Sequence, residues 1–373
     1  MAKKVLLGLS GGVDSAVSAY LLIQAGYDIT GCFMRNWDAM ANDDILGNPT
    51  LHDDQCPQEK DFEDAKKVAE KLGIPLLRVD FIEEYWQNVF QYALSEYRAG
   101  RTPNPDIFCN KYIKFSAFLD FAHQNGFELI AMGHYAKKSE KDGVFSLLKA
   151  DDRNKDQSYF LSQISQEQLA ACLFPLGNIE KPQVRAIAQK LQLTSVMNKK
   201  DSTGICFIGE RHFKEFLQNY LPAHRGQIVD IKTKNVLGAH DGVLYYTIGQ
   251  RKGLGIGGIA GHTDAGWFVV DKDVKNNILY VASGDDNDYL AADGVIINQL
   301  NWINQPPQID AIYQAKFRYR QLDQQVQVIA LNENEITLKF LQPVKAITPG
   351  QAAVIYDHDI CLGGGIIVNA IKR

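Results

Sequence analysis

The stretch that decides the fold is Val5-Leu6-Leu7-Gly8-Leu9-Ser10-Gly11-Gly12-Val13-Asp14-Ser15, followed by Ala16 to Ile23. Val5-Leu6-Leu7 reads as a short buried strand, and Ala16 to Ile23 sets its apolar residues on one face of a helix. Between them, Gly8 to Ser15 form a glycine-rich turn. A turn from strand into helix gathers backbone N–H groups and the positive end of the helix dipole on one spot, which suits phosphate. Glycine lets the backbone approach an anion closely. Ser10 and Ser15 add hydroxyl donors, and Ser15 can also cap the helix. The Gly-Lys-Ser/Thr ending of a Walker A loop is missing. So is the Gly-x-Gly-x-x-Gly spacing of a dinucleotide turn.

Outward from this loop, the first half alternates strand and helix, the pattern of a mostly parallel sheet with helices on both faces. The expected strands are 29–34, 75–81 and 129–135; the expected helices are 62–72, 82–97, 112–123, 182–191 and 213–220. Residues 144–148 read as a hairpin strand, and 157–172 as a helical stretch. The polar segment 36–60 is long for a structureless loop in a compact domain, so it is either mobile or functional. From about Gly226 helical periodicity fades. Short alternating segments follow, such as Val243 to Thr247 and Trp267 to Val270, with turn signals at Lys275-Asn276-Asn277 and Ser283-Gly284-Asp285. The tail carries strands at 312–320, 325–331, 335–340, 351–356 and 365–368, which suggests a small β-barrel. Three domains are expected: 1–207, an α/β phosphate-binding unit; 208–285, a small central β-rich unit; and 286–373, the barrel.

A chain of 373 residues can bury a core in each of these units. It has no run of eighteen apolar residues, so no membrane span is expected. Met1-Ala2-Lys3-Lys4 leads straight into the first strand without the apolar region of a signal peptide, which points to the cytoplasm. The net charge of −5 argues against indiscriminate nucleic-acid binding but leaves room for a local basic patch. Lys316, Arg318 and Arg320 alternate along one expected strand and would share a face, either gripping phosphate or guarding a sheet edge.

The six cysteines are scattered and form no Cys-x-x-Cys pair, so neither a disulfide framework nor a zinc ribbon is expected. Two stand out. Cys109 follows the loop Asn104-Pro105-Asp106 and opens a helix, where a thiolate is favoured; Cys206 lies in Ser202-Thr203-Gly204-Ile205-Cys206-Phe207. Cys32 and Cys172 read as core; Cys56 and Cys361 have no assigned role. Asp106, three residues before Cys109, is either an acid–base group or a turn carboxylate bonded to nearby backbone.

Ser-Gly-Gly-x-Asp-Ser at 10–15 resembles the pyrophosphate loop of the ATP pyrophosphatases, which cleave ATP between the α and β phosphates. Further motifs narrow this. Asn104-Pro105-Asp106-x-x-Cys109-Asn110, Gly133-His134-Tyr135-Ala136, Lys155 to Leu161, Ser202 to Arg211, Tyr246 to Gly255, Arg318-Tyr319-Arg320 and Thr348 to Gln351 together resemble the tRNA-specific 2-thiouridylases over nearly the full length. The resemblance implies an adenine nucleotide alpha hydrolase-like sheet. It implies ATP with magnesium on Gly8, Leu9, Ser10, Gly11, Gly12, Val13, Asp14 and Ser15, with Met34 and Gly133 beside the nucleotide. The implied substrate is the wobble uridine of a tRNA, held by Asn104, Pro105, Asp106, His134, Lys155, Asp156, Gln157, Arg318, Tyr319 and Gln351. Its C2 oxygen would be adenylated and replaced by sulfur. Cys206 would carry that sulfur as a persulfide from a donor or relay protein, and Cys109 could close a disulfide with it. An amidating ligase on the same loop would need neither cysteine, and an RNA-binding relic would release no AMP.

Overall fold

The computed structural model describes residues 2–51, 53, 56–199, 208, 211–256, 266–284 and 288–373. Cys206, Asp285 and the glycines at 257 and 258 lie outside the described residues. The opening run is strand β1, Lys4–Gly8. It pairs in parallel with β2, Asp28–Arg35, and with β4, Leu129–Ala131; β3, Leu76–Asp80, and β7, Cys172–Leu173, complete the order β3-β2-β1-β4-β7. β1 reads as an unbroken apolar run because both of its faces are covered. Val5 and Leu7 join a core with Ala16, Val17, Ala65, Val68 and Val184, from helices Val13–Gln24, Pro57–Leu72 and Lys181–Lys190. Leu6 enters the opposite core with Tyr85, Val89, Ile107, Ile113 and Phe118 of the helical runs 82–98 and 105–124. Each such buried aliphatic side chain contributes roughly 1.5–3 kcal/mol.

The middle of the chain forms a second sheet in the order β10-β11-β8-β9. Its strands are β8, Gly226–Asp230; β9, Val236–His240; β10, Trp267–Asp273; and β11, Ile278–Ser283. The third sheet runs β12-β15-β14-β13-β16-β17 and closes on itself through β12–β17 pairing. These strands are Ala291–Trp302, Ile312–Lys316, Gln324–Leu331, Glu335–Lys345, Ala352–Asp357 and Ile360–Lys372, labelled β12 to β17 in chain order. Val295, Phe317, Val328, Leu338 and Ile355 fill the barrel. Gly363, at φ +120°, is required there: a Cβ would meet the Asn301 carbonyl oxygen at 2.1 Å. Among the described residues no helix is long and apolar enough to cross a membrane.

Several local expectations need correction. The helix expected at 62 starts at Pro57, whose fixed φ suits a first helical position. The strand expected over 129–135 stops at Ala131, and 132–135 form the loop at its carboxyl end. The helical stretch 157–172 is a 3-10 turn, Ser158–Leu161, and a short helix, Gln166–Ala170, capped reciprocally by Ser165 and Gln168. Cys172 is therefore in edge strand β7, not on a helix. Val243–Tyr245 is a 3-10 turn rather than a strand, entered through Gly242 at φ +150°. The hairpin strand at 144–148 is present as β6, Val144–Lys149, paired with β5, Ala136–Lys141. This hairpin extends the barrel sheet, with Leu147 against Cys361 and Leu148 against Ile360.

Candidate active site

The glycine-rich loop lies at the carboxyl ends of the parallel strands, where open α/β sheets bind their ligands. A cavity of about 820 Å³ opens there. Gly8 to Gly12, Asp14, Ser15, Met34, Gly133, His134 and Gln157 all line it, whereas Val13 turns into the core with 4% exposure. Phosphate-loop and nucleotide-side residues expected from distant motifs thus meet in one space.

The loop is held by short polar contacts. Ser15 Oγ donates to the Gly12 carbonyl at 3.1 Å and accepts from the Ser10 amide at 3.2 Å. Gly12, at the N-cap of helix Val13–Gln24, has no side chain to cap it, and among the described residues no side-chain cap is made there. Gly11 has φ +69°, and a Cβ there would lie 2.1 Å from the Asp61 carbonyl oxygen. At Gly133 a Cβ would approach the Ser15 amide nitrogen to 3.1 Å, so only glycine lets the two loops touch without displacement. Asp14 is anchored from two distant places: Lys181 Nζ donates to its two oxygens at 2.7 and 2.8 Å, and Tyr135 Oη at 2.9 Å. Lys199 Nζ donates to the Gly11 carbonyl at 2.9 Å and to Asp61 and Asp64 at 2.6 and 2.9 Å. Burial works against its charge, but the two carboxylates outweigh it and raise its pKa, so it is an ammonium at neutral pH.

His134 is 8% exposed, and its Nδ1 has no hydrogen-bond partner among the described residues. Burial, then Lys114, pushes its pKa well below the ordinary imidazole value, so the ring is neutral at pH 7. Gln157 is paired twice with Tyr135, accepting its amide at 3.0 Å and donating its own at 2.8 Å.

The cysteine loop is built differently from the expectation. Asn104 caps helix Pro105–Phe108 and accepts the Asp106 amide at 3.2 Å. Cys109 lies one turn further, at the start of the π-helical stretch Cys109–Ala117, and is 0% exposed. It is not the accessible thiol that its place in the sequence suggested: it is buried in the same core as Phe108, Ile113 and Phe115. Neither Cys109 nor Asp106 lines the cavity. Cys32 and Cys361 are core thiols pushed up to about 12 by burial. Cys56, the N-terminal neighbour of helix Pro57–Leu72, is exposed and lies in the cavity wall.

The remaining residues expected to hold the substrate gather on the seam between the parallel-sheet unit and the barrel. Gln351 Nε2 donates to the Thr102 carbonyl at 2.8 Å, which ties the barrel to the Asn104-Pro105-Asp106 loop. The Tyr319 ring sits 4.3 Å from that of Phe160, whose carbonyl accepts from Asn110. Asp156 is buried, accepting from the Ala150 amide at 3.0 Å and from Ser158 Oγ at 2.9 Å; Lys155 beside it is half-buried. The expected common face of Lys316, Arg318 and Arg320 is absent, because β13 ends at Lys316 and the chain turns. Arg318 instead bonds inward to the carbonyls of Ile248 and Ala346 at 2.8 and 3.0 Å and to Thr348 Oγ1 at 2.8 Å.

Sequence reasoning gave no role to Lys181 or Lys199 and did not single out Trp37 or Arg211. Trp37 and Arg211 line the cavity and share Asp44: Trp37 Nε1 donates to it at 3.0 Å and Arg211 Nη2 at 2.8 Å. The weak signal for Lys181 and Lys199 was a basic residue starting a helix or beside a motif; their partners lie 167 and 188 positions away.

Comparison with known proteins agrees along the whole chain. A family model described as the tRNA methyl transferase HUP domain matches residues 3–210. One described as the tRNA methyl transferase PRC-barrel domain matches 214–283, and one described as the aminomethyltransferase beta-barrel domain matches 292–367. The tRNA-specific 2-thiouridylase MnmA of Mycoplasma mycoides is 56% identical over all of both chains. The protein of the same name from Pectobacterium carotovorum is 53% identical over 100% of this chain and 98% of its own. That from Acholeplasma laidlawii is 52% identical over 98% and 96%. The model descriptions speak of methyl transfer and the relatives of thiolation; identity above one half along the full length decides between them. The chain belongs to the family of tRNA-specific 2-thiouridylases.

Proposed function

We propose that the protein is an ATP-dependent tRNA-uridine 2-sulfurtransferase of the cytoplasm that makes 2-thiouridine at the wobble position. The observation that carries this reading is the single cavity in which the phosphate loop meets Met34, Gly133, His134 and Gln157. ATP lies with its phosphates on the uncapped helix N-terminus and the Gly8–Ser15 turn. The uridine is extruded from the anticodon stack, as an enzyme acting on a stacked base requires. Neutral His134, with a ring nitrogen lacking a partner, hydrogen-bonds a base edge without adding charge. Asn104, Pro105, Asp106, Lys155, Tyr319 and Gln351 contact the tRNA along the seam, while Asp156 and Arg318 support it from inside.

The C2 oxygen attacks the α phosphorus, and pyrophosphate leaves with the electron pair of the broken P–O bond. The terminal sulfur of the Cys206 persulfide, supplied by a donor or relay protein, then attacks C2, and AMP departs with the former C2 oxygen. Cys109 thiolate attacks the Cys206 Sγ, which leaves sulfur on the base and joins the two cysteines as a disulfide for later reduction. Release of hydrosulfide by the same attack of Cys109, before it reaches C2, is the alternative order. Cys109 must be exposed for either, and its helix has to shift when tRNA binds. Among the described residues no group of three or more His, Cys, Asp or Glu side chains is placed to hold a metal. Magnesium bound with ATP would offset the charge of its phosphates.

The test is nucleoside mass spectrometry of tRNA incubated with the enzyme, ATP and a persulfide source. 2-Thiouridine is expected from the native chain and none from Cys206→Ser. Equal product from both would end the sulfur-transfer reading, and absence of AMP would end the adenylation step.

A further inference from the structure

Five acidic and four basic side chains are among the described residues lining the cavity, so the described part of its wall has no excess of positive charge. A polyphosphate in such a place must be held by oriented N–H groups rather than by bulk charge. The orientation of the loop peptides is then decisive. The carbonyl of the Gly11–Gly12 peptide is gripped by a charged side chain, Lys199, at 2.9 Å. In a trans peptide the carbonyl oxygen and the next N–H point in opposite directions. The bond from Lys199 therefore turns the Gly12 N–H to the side away from the ammonium. Asp61 and Asp64 fix Lys199 in turn, at 2.6 and 2.9 Å, and the Asp61 backbone packs on Gly11 so closely that no Cβ fits. A left-handed glycine, a charged donor and two carboxylates thus converge on one peptide.

We infer that Lys199 is a positioning residue for ATP: it sets the Gly11–Gly12 peptide so that the Gly12 N–H donates to the phosphates. The inference rests on the ATP reading above, and the experiment separates the two. ATP binding to the full chain is measured by titration calorimetry without tRNA. The proteins compared are the native chain, Lys199→Met, Lys199→Arg and the triple variant Lys199→Met with Asp61→Asn and Asp64→Asn. Lys199→Met is expected to weaken binding about tenfold, the scale of one charged hydrogen bond. Lys199→Arg recovers most of it. The triple variant stays weak, because neutralising the carboxylates does not return a donor to the Gly11 carbonyl. Unchanged affinity in Lys199→Met, or full recovery in the triple variant, overturns the inference, since Lys199 would then only balance two carboxylates. A native chain that binds no ATP overturns the ATP reading and this inference with it. Should Lys199→Met fail to fold, hydrogen exchange of the native chain decides: ATP must slow exchange of the Gly12 amide, and an unaffected amide overturns the assignment.

Discussion

At the scale of single residues, the site depends on groups held in one protonation state by their surroundings. His134 shows this most directly. Its folded-state pKa is depressed by burial, so the folded protein disfavours its imidazolium. The unfolded chain takes up the proton near the ordinary value of about 6.5. The stability contributed by neutral His134 is therefore complete above that value and is lost as pH falls below it towards the depressed folded pKa. Urea unfolding at pH 7.5 and 5.5 should show a larger loss for the native chain than for His134→Gln. His240 is also depressed by burial and adds its own slope, so the difference between the two proteins is the quantity that matters. Identical slopes would show that His134 accepts a proton freely in the fold.

At the scale of elements, segment 36–51 changes meaning once its packing is known. From sequence, 36–60 was a polar segment long for a loop and so either mobile or functional. In the structure it docks on helix Phe213–Gln218 and its flanks. Asn219 exchanges hydrogen bonds with the Leu46 backbone, Tyr220 Oη donates to the Asn42 carbonyl at 2.7 Å, and the His212 amide donates to the Gly47 carbonyl. Asp44 is the buried centre of this contact, with 0% exposure, and Arg211 beside it has a side chain only 6% exposed. Removing one partner of a buried pair strands the other, at a cost of about 3–5 kcal/mol. Asp44→Ala should lower the urea midpoint accordingly. A loss below about 1 kcal/mol, the range of an exposed pair, would mean that the segment does not brace this part of the site.

At the scale of the whole molecule, hairpin β5–β6 matters most. It belongs to the parallel-sheet unit by sequence yet pairs with β17 of the barrel. Around that joint Tyr159 Oη donates to the Ala352 carbonyl at 3.1 Å, Gln163 Nε2 to the Gly364 carbonyl at 3.1 Å, and buried Lys149 to Asp323 at 2.6 Å. So many buried cross-links make the two units one cooperative body. Hydrogen exchange should therefore give the Leu147 and Leu148 amides the same protection as those of Ile360 and Cys361. Much faster exchange in the hairpin would show that the barrel moves independently, and the seam proposed to hold tRNA would have to be assembled on binding.

What the sequence by itself determined is whatever contiguous residues encode. Val5 to Ser15 specify strand, turn and helix in order, and glycines with short polar residues make that turn a phosphate cradle. Alternating strand and helix signals gave the parallel sheet, and short β segments at the end gave the barrel, because periodicity and turn chemistry are local. The motifs were distinctive enough to point to the family. Only the tertiary structure decided partners and exposure. Asp14 meets Lys181, and Gly11 meets Lys199, across more than 160 residues. Arg318 turns inward because its strand stops two residues before it, which alternation along the sequence does not reveal. Cys109 is buried because its helix packs into a core built from many distant segments. Hydrogen-bond partners and solvent exposure are set by packing between distant segments, so the cradle could be read from the chain while the residues that tension it could not.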